Sequence, residues 1–333
     1  MRILITGGAG CLGSNLVEYW LPKGHEILVV DNFATGNRGA LPLGAAGLKL
    51  LEGTISDRSL VDRMFADFMP THVVHAAAAY NNPDDWREDI ATNVLGSANV
   101  ALAARAAGVQ RFINFQTALC YGVPQGIPIP VDHACRPVAS YGISKTAGEL
   151  YAGLAGVPFV SVRLASVIGP RLTIGAIPTF YSRLKDGKAV FCTTAVRDFL
   201  AMSDFFAFMD LAMAPNGPTG IYNVGPGMGH SITDVLAAVA KAIGVEMPDP
   251  VDMRPVSSDD VEVVVLDPAS TMRDFGWRAK VPFEAAIAEI VAWYDRHGIT
   301  AIHSHLKEPA RLNAAQKGSG HAHHSVDRGA AKF

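Results

Sequence analysis

Tyr141-Gly-Ile-Ser-Lys145 places a phenol and an ammonium four residues apart, which on a helix puts both on one face. A phenol titrates near about 10 and is a poor base at neutral pH, but an adjacent cation favours its phenolate. Thr117, at the end of the apolar run from Arg111, offers a hydroxyl that can donate to or accept from the same reacting oxygen. Such a trio suits proton removal from a carbinol. Taken alone, Tyr141 and Lys145 also describe an ordinary exposed helix, so the rest of the chain must decide.

The decision comes from the first thirty-one residues. Arg2-Ile-Leu-Ile-Thr6 reads as a buried parallel strand. Gly7-Gly-Ala-Gly-Cys-Leu-Gly13 follows at once and holds both a G-x-G-x-x-G (Gly8, Gly10, Gly13) and a G-x-x-G-x-x-G (Gly7, Gly10, Gly13). The first glycine permits a tight turn, the middle one lets backbone N–H groups approach a pyrophosphate, and the last lets helix and strand pack closely. The helix from Cys11 to about Leu21 aims its positive end at that pyrophosphate. Glu26-Ile-Leu-Val-Val-Asp31 is the second strand, and its closing carboxylate lies eighteen residues beyond Gly13, placed to accept from both ribose hydroxyls. Asp31 would repel a 2′-phosphate, so the expected cofactor is NAD rather than NADP. The positive nicotinamide would then favour the Tyr141 phenolate further.

Composition narrows the alternatives. A chain of 333 residues, 49% hydrophobic and 18% charged, can bury a large core, while Arg105, Arg163 and Asp210 break its longest apolar stretches below membrane-spanning length. The start of the chain leaves too short an apolar core for a signal peptide, so a cytoplasmic protein is expected. Cys11, Cys120, Cys135 and Cys192 show no C-x-x-C spacing, which points to reduced thiols and no zinc site or disulfide framework. A net charge of −3 without a basic stripe argues against nucleic acid.

Strands are expected at 48–53, 71–79, 111–117 and 159–164, separated by helices over 57–68, 84–107 and 138–154. The run Ala76, Ala77, Ala78 gives a wall with little bulk, suited to a flat ring. The Gly- and Pro-rich loop 122–137 should cross over the cleft. This alternation requires crossover connections, hence an α/β fold: a Rossmann-type doubly wound parallel sheet over residues 1–168. Short helices and isolated strands over 169–298, including strands at 221–224 and within 261–266, read as a smaller C-terminal lobe closing over the same cleft. Residues 299–333 read as a mobile tail, whose His321, His323 and His324 are more simply solvated than metal-binding.

The ordered series Thr6-Gly-Gly-Ala-Gly-Cys-Leu-Gly13, Asp31-Asn-Phe-Ala-Thr-Gly36, His75-Ala-Ala, Asn93-Val-Leu-Gly, Tyr121-Gly, Tyr141-x-x-x-Lys145, Gly169-Pro-Arg171 and Val196-Arg-Asp-Phe199 resembles the extended short-chain dehydrogenase/reductases, and within them the nucleotide-sugar 4-epimerases. A narrower likeness is to bacterial enzymes that prepare activated sugars for surface polysaccharide. The resemblance implies NAD contacts from Gly7, Gly10, Cys11, Leu12, Gly13, Asp31, Asn32, Thr35, Gly36, Thr54, Ile55, Ala76, Ala77, Ala78 and Asn93 besides Tyr141 and Lys145. It implies contacts to a UDP-sugar from Thr117, Ser166, Thr179, Arg197, Arg254 and Val264. Relatives usually carry Asp at Thr54 and Asn at Ser166. Related 4,6-dehydratases carry Asp-Glu after the threonine, where this chain has Ala118 and Leu119, and related decarboxylases usually carry Glu two residues after it. Cys120 is one residue out of register with the cysteine of related epimerase-reductases and reads as packing. What remains is reversible hydride exchange at C4 through a 4-keto sugar. A 4-ketoreductase or dehydrogenase that exchanges its cofactor, and a silent NAD-binding regulator, stand as alternatives. The resemblance also implies a homodimer paired through the helices of 84–107 and 138–154. The small Val264, where relatives place a gate beside the sugar 2-position, implies room for a 2-acetamido group.

Overall fold

A computed structural model describes residues 1–299 and 301–303, and the histidine-bearing stretch lies outside the described residues. The first half runs β1 (Arg2–Thr6), α1 (Cys11–Trp20), β2 (Glu26–Asp31), β3 (Leu48–Glu52), α2 (Arg58–Phe68), β4 (His72–His75), α3 (Trp86–Glu88), a π-helical stretch (Asp89–Gly96), α4 (Ser97–Ala107), β5 (Arg111–Thr117), α5 (Ser140–Gly153) and β6 (Phe159–Leu164). The second half runs β7 (Ser166–Ile168), α6 (Ala176–Lys185), β8 (Phe191–Thr193), β9 (Val196–Ala201), α7 (Met202–Ala212), β10 (Gly220–Val224), β11 (Gly229–Ser231), α8 (Ile232–Ile243), β12 (Asp252–Arg254), β13 (Val263–Val264), α9 (Ala269–Phe275) and α10 (Phe283–His297).

Seven strands form one parallel sheet in the order β3-β2-β1-β4-β5-β6-β10. Alternate side chains of each strand enter opposite layers. Ile3, Ile5, Ile27, Val29 and Phe115 pack with Leu16 and Val17 of α1 and Phe205 and Met209 of α7. Leu4, Leu28, Val30, Val73 and Phe112 pack with Val61, Met64 and Phe65 of α2 and Val100 and Ala104 of α4. The strand order reverses between β1 and β4, where Thr6 pairs with His75, and a ligand cleft belongs at that switch point.

Two departures from expectation shape the site. The strand at 221–224 is not isolated: β10 pairs with β6 from Gly220 opposite Val160 to Val224 opposite Leu164, and α7 covers the same sheet. Its short apolar run looks the same in sequence whether it joins a large sheet or a small one. Residues beyond 169 therefore contribute both to the main sheet and to a separate core of Ile177, Phe180, Val235, Val239, Ile287 and Ile290. The single helix expected over 84–107 is interrupted by the π-helical stretch, a distortion that often marks functional sites. A Cβ on Gly148 of α5 would lie 2.2 Å from the Asn93 carbonyl oxygen, so α5 and this stretch meet in backbone contact. Asp57 caps α2 as expected, accepting from Ser59 and Leu60 N–H.

Candidate active site

The glycine turn is built for close approach. Gly7 has φ +67° and a Cβ there would lie 2.6 Å from Ala77 Cα, while a Cβ on Gly13 would lie 2.6 Å from the Gly7 carbonyl oxygen. Gly10 meets only that same oxygen at 3.3 Å and begins α1, leaving the N–H groups of the first turn directed at the cleft. Cys11 and Leu12 occupy that turn. The Cys11 thiol donates to the Pro170 carbonyl (3.4 Å), and burial pushes it up to about 12, against the smaller pull of Arg171, so it stays an inert thiol.

Asp31 ends β2 buried, accepting from Ala9 N–H and Phe33 N–H, each at 2.8 Å. Burial raises its pKa, and the two backbone donors oppose this. A carboxylate has about four lone-pair sites, so two backbone bonds leave acceptor capacity for a ribose diol. A Cβ on Gly36 would come within 2.8 Å of Asp31 Oδ1, and so the loop of Asn32, Thr35 and Gly36 closes directly on this carboxylate. Thr35 reaches the Tyr80 hydroxyl. Thr54 bonds Ser56 (2.8 Å), and Ile55 is buried with its carbonyl held by Asn99 (3.0 Å). Ala76, Ala77 and Ala78 are half-buried beyond the end of β4, a wall of methyl groups at the switch point. Asn93 fixes the end of that wall: its amide accepts from Ala79 N–H (2.9 Å) and donates to Ala79 C=O and Ser144 Oγ (both 3.0 Å). These residues fit a dinucleotide: a pyrophosphate at the helix start, a ribose on Asp31 and a flat ring along the alanines.

Thr117 closes β5, and its Oγ1 accepts from Leu119 N–H (3.2 Å), capping the turn at Ala118–Tyr121. With a lone pair so engaged, its O–H remains a donor toward the cleft. Tyr141 and Lys145 both lie on α5 as expected. Lys145 is 4% exposed, and burial brings its ammonium down to about 8, opposed by the charge of Glu149. Burial, then Tyr80 and Asp89, raise Tyr141 well above the usual phenol range. The protein by itself therefore holds Tyr141 protonated, and desolvation outweighs any cation effect that spacing alone suggests.

In the second half, Arg197 on β9 pairs with Asp260 at 2.6 Å and donates to the carbonyls of Val196 and Glu262. Val264 on β13 sits opposite Arg197 in the strand register, buried in the main hydrophobic cluster with Val261 and Leu266. Arg254 belongs to a different small sheet (β12 with β8), bonded to Asp252 (3.1 Å) and stacked 3.6 Å over the Phe191 ring. Ser166 is exposed at the start of β7, and Thr179 in the first turns of α6 donates to Gly175 C=O (2.9 Å).

Residues 3–225 match the NAD dependent epimerase/dehydratase family. The chain belongs to that family. Among solved structures it is similar to the Bordetella bronchiseptica enzyme WbmG in complex with NAD and UDP, at 58% identity and TM-score 0.88, covering 93% of this chain and 99% of that one. The Bordetella bronchiseptica enzyme WbmH in complex with NAD+ follows at 39% identity and TM-score 0.84, covering 90% and 99%. UDP-glucose 4-epimerase of Corynebacterium glutamicum is 29% identical over 307 residues, covering 83% of this chain and 90% of that protein.

As a family member the chain uses NAD, and several residues that surround Tyr141 and Lys145 were given no role in the sequence. Tyr80 lies edge-on to Tyr141 with ring centroids 6.4 Å apart; its place right after the alanine run was the only pointer. Asp89 accepts from Ser140 Oγ (2.6 Å) at the start of α5. His75 is fully buried between Thr6 and Ser97 (2.8 Å to each), and burial together with the Lys145 charge lowers it to about 3, so it is a neutral strut. Gln116 and Glu149, which hold α5 to the sheet, read in sequence only as polar residues among apolar ones.

Proposed function

We propose that this protein is an NAD-dependent epimerase of a UDP-sugar, inverting C4 through a transient 4-keto intermediate, in the cytoplasmic synthesis of surface polysaccharide precursors. The feature that supports the reading is that Thr117 closes β5 and Tyr141 and Lys145 share α5, in a chain that carries the glycine turn, while Ala118 and Leu119 supply no second acid or base. Water expulsion and decarboxylation are thereby disfavoured, and single-carbon oxidation and reduction is kept. Support comes from WbmG, whose complex holds NAD and UDP together.

NAD+ bound at the glycine turn supplies a two-electron acceptor that later becomes the donor. Thr117 donates to the sugar 4-oxygen and orients it. Tyr141 takes the 4-hydroxyl proton, a step that waits on positive charge entering beside it, because burial holds the phenol protonated otherwise. Lys145 would stabilise the phenolate and would hold the nicotinamide ribose of the bound cofactor. After the 4-keto sugar turns over, Tyr141 returns the proton.

The UDP half would lie against Ser166, Thr179, Arg197 and Arg254. Arg197 is already fixed by Asp260 and two carbonyls, so a diphosphate meets a guanidinium with little rotamer freedom left to lose. A homodimer would cover the exposed apolar side chains Ile90, Leu95 and Leu102 on one helical segment and Ile143, Leu150 and Leu154 on or beside α5; a monomer by light scattering would refute it. Among the described residues no helix is long and apolar enough to cross a membrane.

The test is incubation of the NAD complex with UDP-GlcNAc, UDP-GalNAc and UDP-glucose, with 4-epimers resolved by NMR. Interconversion of at least one pair of 4-epimers is expected. Absence of any 4-epimer across a wide UDP-sugar panel would sink the reading.

A further inference from the structure

Thr117 and the Tyr141/Lys145 pair come from different elements, β5 and α5, joined by a tight turn and the Gly- and Pro-rich loop 122–137. A surface loop of that composition cannot set distances to the fraction of an ångström that proton transfer requires. The side chains of Ser140 and Ser144 tie α5 to Asp89 and Asn93 of the π-helical stretch, and Glu149 ties it to Ser161 and Arg163 of β6. A different residue joins α5 to β5. Gln116, 2% exposed, accepts from Thr117 N–H with Oε1 (2.8 Å) and donates from Nε2 to Lys145 C=O (3.0 Å).

Only one orientation of that amide satisfies both bonds, because one partner is a donor and the other an acceptor. A flipped amide would set N–H against N–H and oxygen against oxygen. Gln116 is also held from behind by the sheet, where it pairs in register with Arg163 of β6, the residue that anchors Glu149.

We infer that Gln116 is a positioning residue for the reaction: one buried amide bridges the backbones of Thr117 and Lys145 and so fixes the hydroxyl donor relative to the phenol and ammonium on α5. Buried at 2% exposure and bonded to two backbone groups, it acts through Thr117 and Lys145. The inference rests on the epimerase reading for its kinetic consequences but not for its geometry.

Three substitutions test it on the NAD-loaded full chain. Gln116→Met keeps length and apolar bulk but removes both bonds; kcat should fall by about 10- to 100-fold, the scale set by small misplacements of reacting groups, with KM and bound NAD within roughly twofold of the parent. Gln116→Glu discriminates further. As a carboxylate it can accept from Thr117 N–H but cannot donate to Lys145 C=O, whereas the neutral acid can do both. Burial raises a carboxyl pKa, so activity of Gln116→Glu relative to the parent should climb several-fold as pH is lowered, a signature a merely space-filling role would not give. Gln116→Leu should behave like Met across the whole pH range. Independently of any sugar, hydrogen exchange at the Thr117 amide should accelerate in Gln116→Met while exchange in β1 and β4 stays that of the parent. A kcat within twofold of the parent for Gln116→Met, a pH-independent ratio for Gln116→Glu, or an unchanged Thr117 amide would each overturn the assignment. If the parent proves inactive on every UDP-sugar, the epimerase reading fails, and the exchange experiment alone decides whether Gln116 holds Thr117.

Discussion

Replacing Glu149 with Gln should cost this protein far more than its position, a turn beyond Lys145, suggests. Glu149 accepts from Arg163 (2.8 Å) and from Ser161 Oγ, with the Arg163 and Glu149 side chains only 7% and 2% exposed. Arg163 also donates to the Val131 carbonyl (3.1 Å) and stacks 4.8 Å over the Tyr121 ring, so it cannot swing to water when its carboxylate goes. Burial alone would lower the guanidinium pKa; the Glu149 hydrogen bond and charge more than reverse this. Breaking such a pair on one side costs roughly 3–5 kcal/mol, because an uncompensated charge stays buried. At about 2 °C per kcal/mol for a large domain, the melting temperature should fall by roughly 6–10 °C. The paired replacement Glu149→Leu with Arg163→Met should restore most of that loss, since it removes both charges. A kinetic mark accompanies the thermal one. Glu149 holds Lys145 higher than burial would, so in Glu149→Gln the ammonium, already brought down to about 8, drops further and the alkaline limb of the rate profile moves to lower pH. Thermal melts and kcat against pH on the same preparations read both. A melting loss under about 2 °C, the size of a surface pair, or an alkaline limb that stays put would refute the reasoning.

Tyr141→Phe should bind NAD and melt like the parent while turnover falls by roughly 10²-fold or more, the range for a general acid–base group; unchanged turnover removes Tyr141 from the mechanism. Asp31→Ala should weaken NAD by about 2–3 kcal/mol, as for lost charged hydrogen bonds, read by calorimetric titration of apoprotein; the same affinity as the parent would mean the ribose lies elsewhere. Asp198 is 2% exposed with Oδ1 unpartnered, and burial raises its carboxyl to about 6, against backbone donors that include Gly227 and Leu266. Its folded pKa exceeds the unfolded value of about 4, so its stability contribution is present below that pH and is lost as pH rises toward about 6. The melting temperature of Asp198→Asn should therefore gain on the parent across that interval, and parallel curves would show that Asp198 is not the group responsible.

The parts that were readable from the sequence are those where one residue type answers one backbone demand. Gly7 and Gly13 are required because a Cβ at either would strike backbone, and Asp31 stands out because the carboxylate that ends β2 takes the Ala9 and Phe33 N–H groups. Helices with capped starts, such as α2 behind Asp57, fell within a residue or two of expectation. The unreadable parts depend on contacts between distant segments. The π-helical stretch meets α5 at Gly148, whose close approach to Asn93 spans fifty-five positions, and β10 joins the sheet through pairing with β6, on which its own five residues are silent. Val264 shows the same limit: its neighbour across the strands is Arg197, as a substrate-side position would have it, yet its side chain is in the apolar cluster.

Tyr141 illustrates why residue spacing and chemistry are separate questions here. The four-residue step correctly sets phenol and ammonium on α5, but their titration is governed by burial, and α5 is held close by Glu149, Gly148 and Ser144 meeting Arg163 and Asn93 beyond it. A phenol raised by burial and an ammonium lowered by burial form a pair poised to respond to added positive charge, because in a low-dielectric site each new charge acts strongly. The same residues on an exposed helix would sit near their ordinary values and respond weakly to a cofactor ring. Burial is thus what sets the protonation of both groups, more than the four-residue step between them.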